Sequence, residues 1–314
     1  MKVRMLPLLL CAAGLAFAQS KPDAMPAQDA SSSQDLNIQT ESPMLGIHWT
    51  RGFEPNARAA REAKTVRPRS SPNMTYHGGQ IVPSANAEAI FWGTSWPGYT
   101  GDKISGMDTW YKGFSNSNYA QTSDEYTSSN GQVGPIVNYG GHVIDSSASA
   151  GGGNTSVILN EVCKAIKNPD PSGNGYYPVY TDTPRGNAQY CAWHSHGTCN
   201  GIPVQFAFFF KLDGDAGCDP QDTSGLHSQG LAALANVSGH ELSEARSDPA
   251  TPGAWYDSSG AENGDKCAWT FGAPLVTFSN GTQWKIQGEW SNAAYTAGSG
   301  YPNSSGQKGC LAGN

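Results

Sequence analysis

The stretch GLHSQGLAALANVSGHELSEARSD, residues 225–248, constrains the fold more than any other part of the chain. Its middle, GLAALANVSG, carries no charge and is apolar around most of a helical circumference, so a helix formed here has to be buried. At about 100° per residue, His240 and Glu244 fall on one stripe with Ala233 and Val237, and Glu241 lies about 60° from Glu244. The ionisable groups therefore extend the apolar face. Burying carboxylates there is unfavourable unless a cation or donors compensate.

His240-Glu241 opens the H-E-x-x-H signature, in which two histidines four apart bind zinc and the glutamate is the base. Here Glu244 stands in place of the second histidine. The alternative reading is a bracing contact between His240 and Glu244 at i, i+4 near the helix end. Arg246 cannot relieve either acid along the helix, because spacings of two and five residues do not bring side chains together.

Asp248-Pro249 ends the helix. The loop beyond offers Asp257, Glu262 and Asp265. Glu262 follows Glu244 by 18 residues, a separation similar to that at which some zincins return a glutamate as third ligand. Three protein ligands and a water make a catalytic zinc site, in which the ion lowers the water's pKa towards about 7. On that reading His240, Glu244 and Glu262 bind zinc and Glu241 is the general base. Asp257 is the alternative third ligand, and Asp265 supports the ligands without touching the ion. The oxygen-rich loop also suits Ca²⁺, although it matches no EF-hand spacing, and such clusters are ordinary turn formers too. A second cluster, CAWHSHGTC (191–199), reads as a loop closed by Cys191–Cys199, with His194 and His196 facing one side and available to a metal.

The first 18 residues have a basic start, an apolar middle and a small-x-small end at Ala16-Phe17-Ala18, the pattern of a secretory signal. Losing Lys2 and Arg4 takes the formal charge from −7 to −9. So acidic a chain is poorly suited to nucleic acid. No later stretch is long and apolar enough for a membrane span. Of seven cysteines, Cys11 lies in the signal; the other six suit up to three disulfides in a secreted, extracellular or periplasmic protein.

Residues 19–72 read as a disordered leader or pro-segment, polar at first and arginine-studded from Arg51 to Arg69. The folded part spans 73–314. Strand signals occur at AEAIFW (87–92), QVGPIVNY (132–139) and PVQFAFFFK (203–211), and helical spacing at 103–114 and 156–167. Asn280-Gly281 between two β-like runs predicts a C-terminal hairpin. The expected architecture is one α/β or α+β zincin-like domain with a mixed sheet, a buried metal-site helix and that hairpin.

MTYHGG (74–79), AEAIFWG (87–93), CAWH (191–194), HELSEARSDP (240–249) and AWYDSSGAENGDKCAWTFG (254–272) together resemble the phosphate-induced (EXORDIUM-like) family of secreted proteins, bacterial branch. The resemblance implies secretion and a shared fold. Plant members lack the His-Glu pair and are associated with cell-wall growth, so the family leaves the chemistry open. The residues favour a secreted metal-dependent hydrolase, a zinc peptidase acting on peptide or protein. The alternative is a non-catalytic extracellular or envelope binding protein, with a structural Ca²⁺ or no metal. Nine tryptophans and thirteen tyrosines would suit cell-envelope carbohydrate, though aromatics fill cores as readily.

Overall fold

Six strands form the main sheet: β1 (Leu45–Trp49), β2 (Ala85–Trp92), β3 (Val137–Asp145), β4 (Gly175–Pro184), β5 (Tyr190–Cys199) and β6 (Ile202–Lys211). The computed structural model describes residues 42–54 and 72–313. The strand order is β1-β5-β6-β4-β2-β3. β3, β2, β4 and β6 run parallel; β5 is antiparallel to β6, and β1 to β5. The fold is therefore mixed α/β with a mixed sheet.

Sequence patterns follow from position. β4 and β6 are central and covered on both faces, so Val204–Phe210 is buried without interruption. β3 lies at an edge and alternates in burial after Val137, beginning two residues past Pro135, which cannot donate to a ladder. Helix α1 (Lys103–Phe114) buries Met107, Trp110, Tyr111 and Phe114 at helical spacing. Helix α2 (Thr155–Ala165) starts at Asn154, whose side chain accepts from the Val157 amide at 3.1 Å.

Helix α3 (Gln229–Ser247) packs on β1, β5 and β6 and buries every residue after Gln229. Ser228 caps it, accepting from the Leu231 amide, and is itself held by Asp102. Along β5 the side chains alternate between faces. Trp193 donates to the Gly152 carbonyl and Gly197 lies against Leu159 of α2, whereas His194 and His196 point to the α3 side.

Two expectations are corrected. CAWHSHGTC is not a loop but strand β5, which holds its end residues Cys191 and Cys199 too far apart to bond. The disulfides are Cys163–Cys199, Cys191–Cys218 and Cys267–Cys310, so each end of the strand is tied to a different neighbour. The sheet also begins within the stretch read as a leader, because Leu45–Trp49 is its edge strand. The signal sequence and the remaining leader, 19–41 and 55–71, lie outside the described residues. In the hairpin region, Val276–Thr277 pairs antiparallel with Gln283–Trp284 around Asn280-Gly281. Among the described residues no helix is long and apolar enough to cross a membrane.

Candidate metal centre

The apolar stripe of α3 carries His240 and Glu244 into the space between the helix, β1 and β5, and neither retains solvent exposure. β5 supplies His194 from the facing sheet. A one-turn helix, α4 (Asn263–Lys266), supplies the rest. Its Asp265 amide donates to Glu244 Oε1 at 2.8 Å, fixing one carboxylate oxygen and leaving the other turned inward. Glu262 caps that turn and Asp265 lies within it, the Glu262 amide donating to Asp265 Oδ2 at 3.3 Å.

His240 Nε2 lies 3.1 Å from Glu244 Oε2, and His194 Nε2 lies 3.9 Å from the same oxygen. Glu262 Oε2 is 3.2 Å from His194 Nε2, and Asp265 Oδ1 is 3.8 Å from His240 Nε2. Two sets of three have ligand atoms within 4.8 Å of one another: His194, Glu241 and Glu244, and His240, Glu244 and Asp265. Glu244 belongs to both. Its Oε2 is buried without a hydrogen-bond partner, while the main chain of Gly46 and of His48 lies against His240 and Glu241. Ligand atoms bound to one tetrahedral zinc at about 2.0–2.1 Å lie about 3.3 Å apart, close to the shorter separations here. This cluster could hold a metal ion.

Burial dominates the electrostatics. It drives His194 and His240 down to about 3, with His240 and His196 adding to the fall at His194 and the Gly46 main chain opposing it at His240. It lifts Glu244 to about 8. Glu241 is also raised, by burial first and then by the charges of Glu244 and Asp265. Glu262, Asp265 and Glu289 are raised for the same leading reason. Burial therefore favours the neutral form of each of these groups, and a nearby cation would oppose that preference at the acids.

Behind the cluster stands Gln287. Its Oε1 accepts from the Trp269 amide and faces His48 Nε2 at 3.0 Å. Its Nε2 donates to the Gly264 carbonyl at 2.9 Å and faces His240 Nδ1 at 3.1 Å. The Gly264 and Trp269 contacts fix which end of the amide is which, so His240 Nδ1 accepts and the ring's proton sits on Nε2. The usual support for a metal-bound imidazole is an acceptor at that position. Gln287 presents a donor.

Of the residues singled out in the sequence, His240, Glu241, Glu244, Glu262 and Asp265 come together. Asp257 does not join them. Its Oδ2 pairs with Lys266 at 2.6 Å, and its Oδ1 accepts from Ser259 and the Ala261 amide, which keeps the carboxyl below its ordinary range although burial opposes this. Arg246 turns away, donating to the Ala120 and Gly134 carbonyls. His196 accepts from the Thr251 amide at 3.1 Å. His48, Gln287 and Gly46 carry no motif that would have announced them. His194, singled out with His196 as available to a metal, does reach the cluster, from a strand and not from a closed loop.

No protein family, curated protein or solved structure matches this chain.

Proposed function

We propose that the protein is an exported, zincin-like, metal-dependent hydrolase of polypeptides, with zinc as the preferred ion. The observation that carries this reading is Glu244 Oε2, a buried, unpartnered carboxylate oxygen lying between the imidazoles of His240 and His194. Glu244 and His240 would hold the ion; His194, which lies within reach of Glu244 and Glu241 but not in one set with His240, would complete the site by shifting toward it. Glu262, the third ligand suggested by the sequence, sits 3.2 Å from the His194 nitrogen and is the alternative in that place. When bound, the metal supplies Lewis-acid polarisation of a carbonyl and an acidified water. Glu241, one residue after His240 on α3 and fully buried, would serve as the general base. Gln287 and the α4 amide orient His240 and Glu244. The three disulfides suit an oxidising compartment, in keeping with the secretory signal and the EXORDIUM-like resemblance.

Metal analysis of the purified protein, with a chelator-treated control, tests the reading. One equivalent of zinc, together with chelator-sensitive cleavage of a peptide library, is the expected result. Calcium alone, or no metal, removes it.

The second reading is a non-catalytic envelope or extracellular binding protein in which His240 and Glu244 brace a buried helix. One observation favours it: the Gln287 donor at His240 Nδ1, which keeps the proton on the nitrogen facing Glu244. The same metal analysis separates the two.

A further inference from the structure

The main chain of β1 passes directly over the cluster. Leu45 pairs with His194, His48 with Ala192 and Trp49 with Tyr190, and the register shifts between Leu45 and His48. At this irregularity Gly46 adopts φ +45°, and a Cβ added there would lie 2.1 Å from Glu244 Oε2 and 2.4 Å from His194 Nε2. Only glycine lets the chain come so close to both groups. Bulges that press an edge strand onto a chemical site are a recurrent device beside active sites.

We propose that the edge of β5 at His194 is a docking site for an extended polypeptide with a small residue over Glu244, and that Leu45–Trp49 occupies it as a built-in stand-in. This rests on the hydrolase reading and names its substrate class. Four observations support it. β1 is an outermost strand, so removing it leaves the row of β5 main-chain groups open to another strand, a pairing that any extended peptide can make. The strand turns Gly46 and His48 inward and leaves Leu45, Ile47 and Trp49 half-buried, so the groups facing the cluster are one absent side chain and one imidazole. A cleft of about 490 Å³ lies alongside, between Met44, Ile47 and Trp49 on one wall and Ser259–Glu262 on the other. Finally, all three disulfides lie after residue 162, so one cut between 54 and 72 leaves the segment held without a covalent bond.

The test inserts a site-specific protease sequence between Arg61 and Glu62 of the full chain and uses a fluorescent peptide of residues 42–54 as probe. After cutting, the probe should bind saturably, and the remainder should stay folded once the native segment is exchanged out. The uncut chain should bind none. Unrelated extended peptides with glycine in the Gly46 place should compete, and the same peptides with leucine there should compete at least about tenfold more weakly. Gly46→Ala in the uncut chain should displace β1 and admit the probe without any cut. The idea is overturned if the remainder unfolds without its own segment, if only the native sequence binds, or if Gly46→Ala melts as wild type and admits nothing. Mass spectrometry of the competing peptides in the presence of zinc keeps the two claims apart. Binding without cleavage removes the hydrolase and leaves the docking edge; equal cleavage before and after cutting keeps the hydrolase and removes the stand-in.

Discussion

His240 Nε2 and Glu244 Oε2 stand 3.1 Å apart where solvent does not reach, yet they form no hydrogen bond with each other. Two groups free to pair would align. Their misalignment fits atoms aimed at a common third point, and the other oxygen of Glu244 is already held by the Asp265 amide. Zinc should therefore raise the melting temperature of chelator-treated protein, since a ligand bound only by the folded state stabilises it. Glu244→Gln should abolish the rise, because a neutral amide is a poor replacement for an anionic ligand. A thermal melt with and without zinc decides it, and an equal rise in the variant would remove Glu244 from the ligand set.

His194 Nε2 and Glu262 Oε2 lie 3.2 Å apart beside Glu244, so either could supply the third ligand. His194→Ala should lose most of the bound zinc, whereas Glu262→Gln should weaken binding by about 10–100-fold, the scale for a group that supports a ligand. Competition against a chromogenic chelator measures both. The reverse ranking would make Glu262 the ligand.

The metal-free protein should become less stable as pH rises from about 6.5 to about 8. A carboxyl whose folded pKa is raised contributes stability that is full below its unfolded value, about 4, and is lost as pH climbs through the folded value. Glu244 at about 8 and Asp248 at about 7, both lifted mainly by burial, place that loss in this window. The buried histidines act the other way, their contribution being present above about 6.5 and lost as pH falls towards about 3. Above about 6.5 they add no slope. Melting at fixed ionic strength should show the decline without zinc, and saturating zinc should flatten it; a rising metal-free curve would contradict the assigned burial.

Much of this was legible in the sequence, and the gaps have physical causes. The uncharged circumference of GLAALANVSG announced a buried helix, and the 3.6-residue period placed His240 and Glu244 on one stripe, as α3 has them. Period-two alternation makes His194 and His196 neighbours on a face, but turn-forming glycine and flanking cysteines made β5 look like a closed loop. Pairing partners of cysteines depend on which strands adjoin, which a single sequence does not encode locally. His48 and Gln287 reach the site through tertiary packing alone, from segments with no periodic signal. β1 is five residues long and carries a glycine, so it was lost among polar neighbours.

His240 provides a direct spectroscopic contrast between the two functional readings. With Gln287 donating to Nδ1, the neutral ring of the metal-free protein should carry its proton on Nε2. A metal at Nε2 requires the proton on Nδ1, and the Gln287 amide must then turn, giving up the Gly264 carbonyl. Long-range ¹H–¹⁵N spectra should show that tautomer change on adding zinc. Zinc bound with no change at His240 would shift the ion to the other set, His194, Glu241 and Glu244.

Glu241 separates an enzyme from a binding protein. It is buried beside the ligand set, so replacing it by glutamine keeps the shape while removing the capacity to accept a proton. As the base, Glu241→Gln should leave zinc content near wild type and lower peptide hydrolysis by about 10²–10⁴-fold. Metal-free stability should not fall, because burial already favours the uncharged acid and the amide needs no proton to remain neutral. Zinc content, melting temperature and cleavage of one library-selected peptide, measured together on wild type and variant, give the answer. Unchanged hydrolysis would take Glu241 out of the chemistry. A loss of zinc along with activity would make it a ligand, and His194, Glu241 and Glu244 would then be the set that holds the ion.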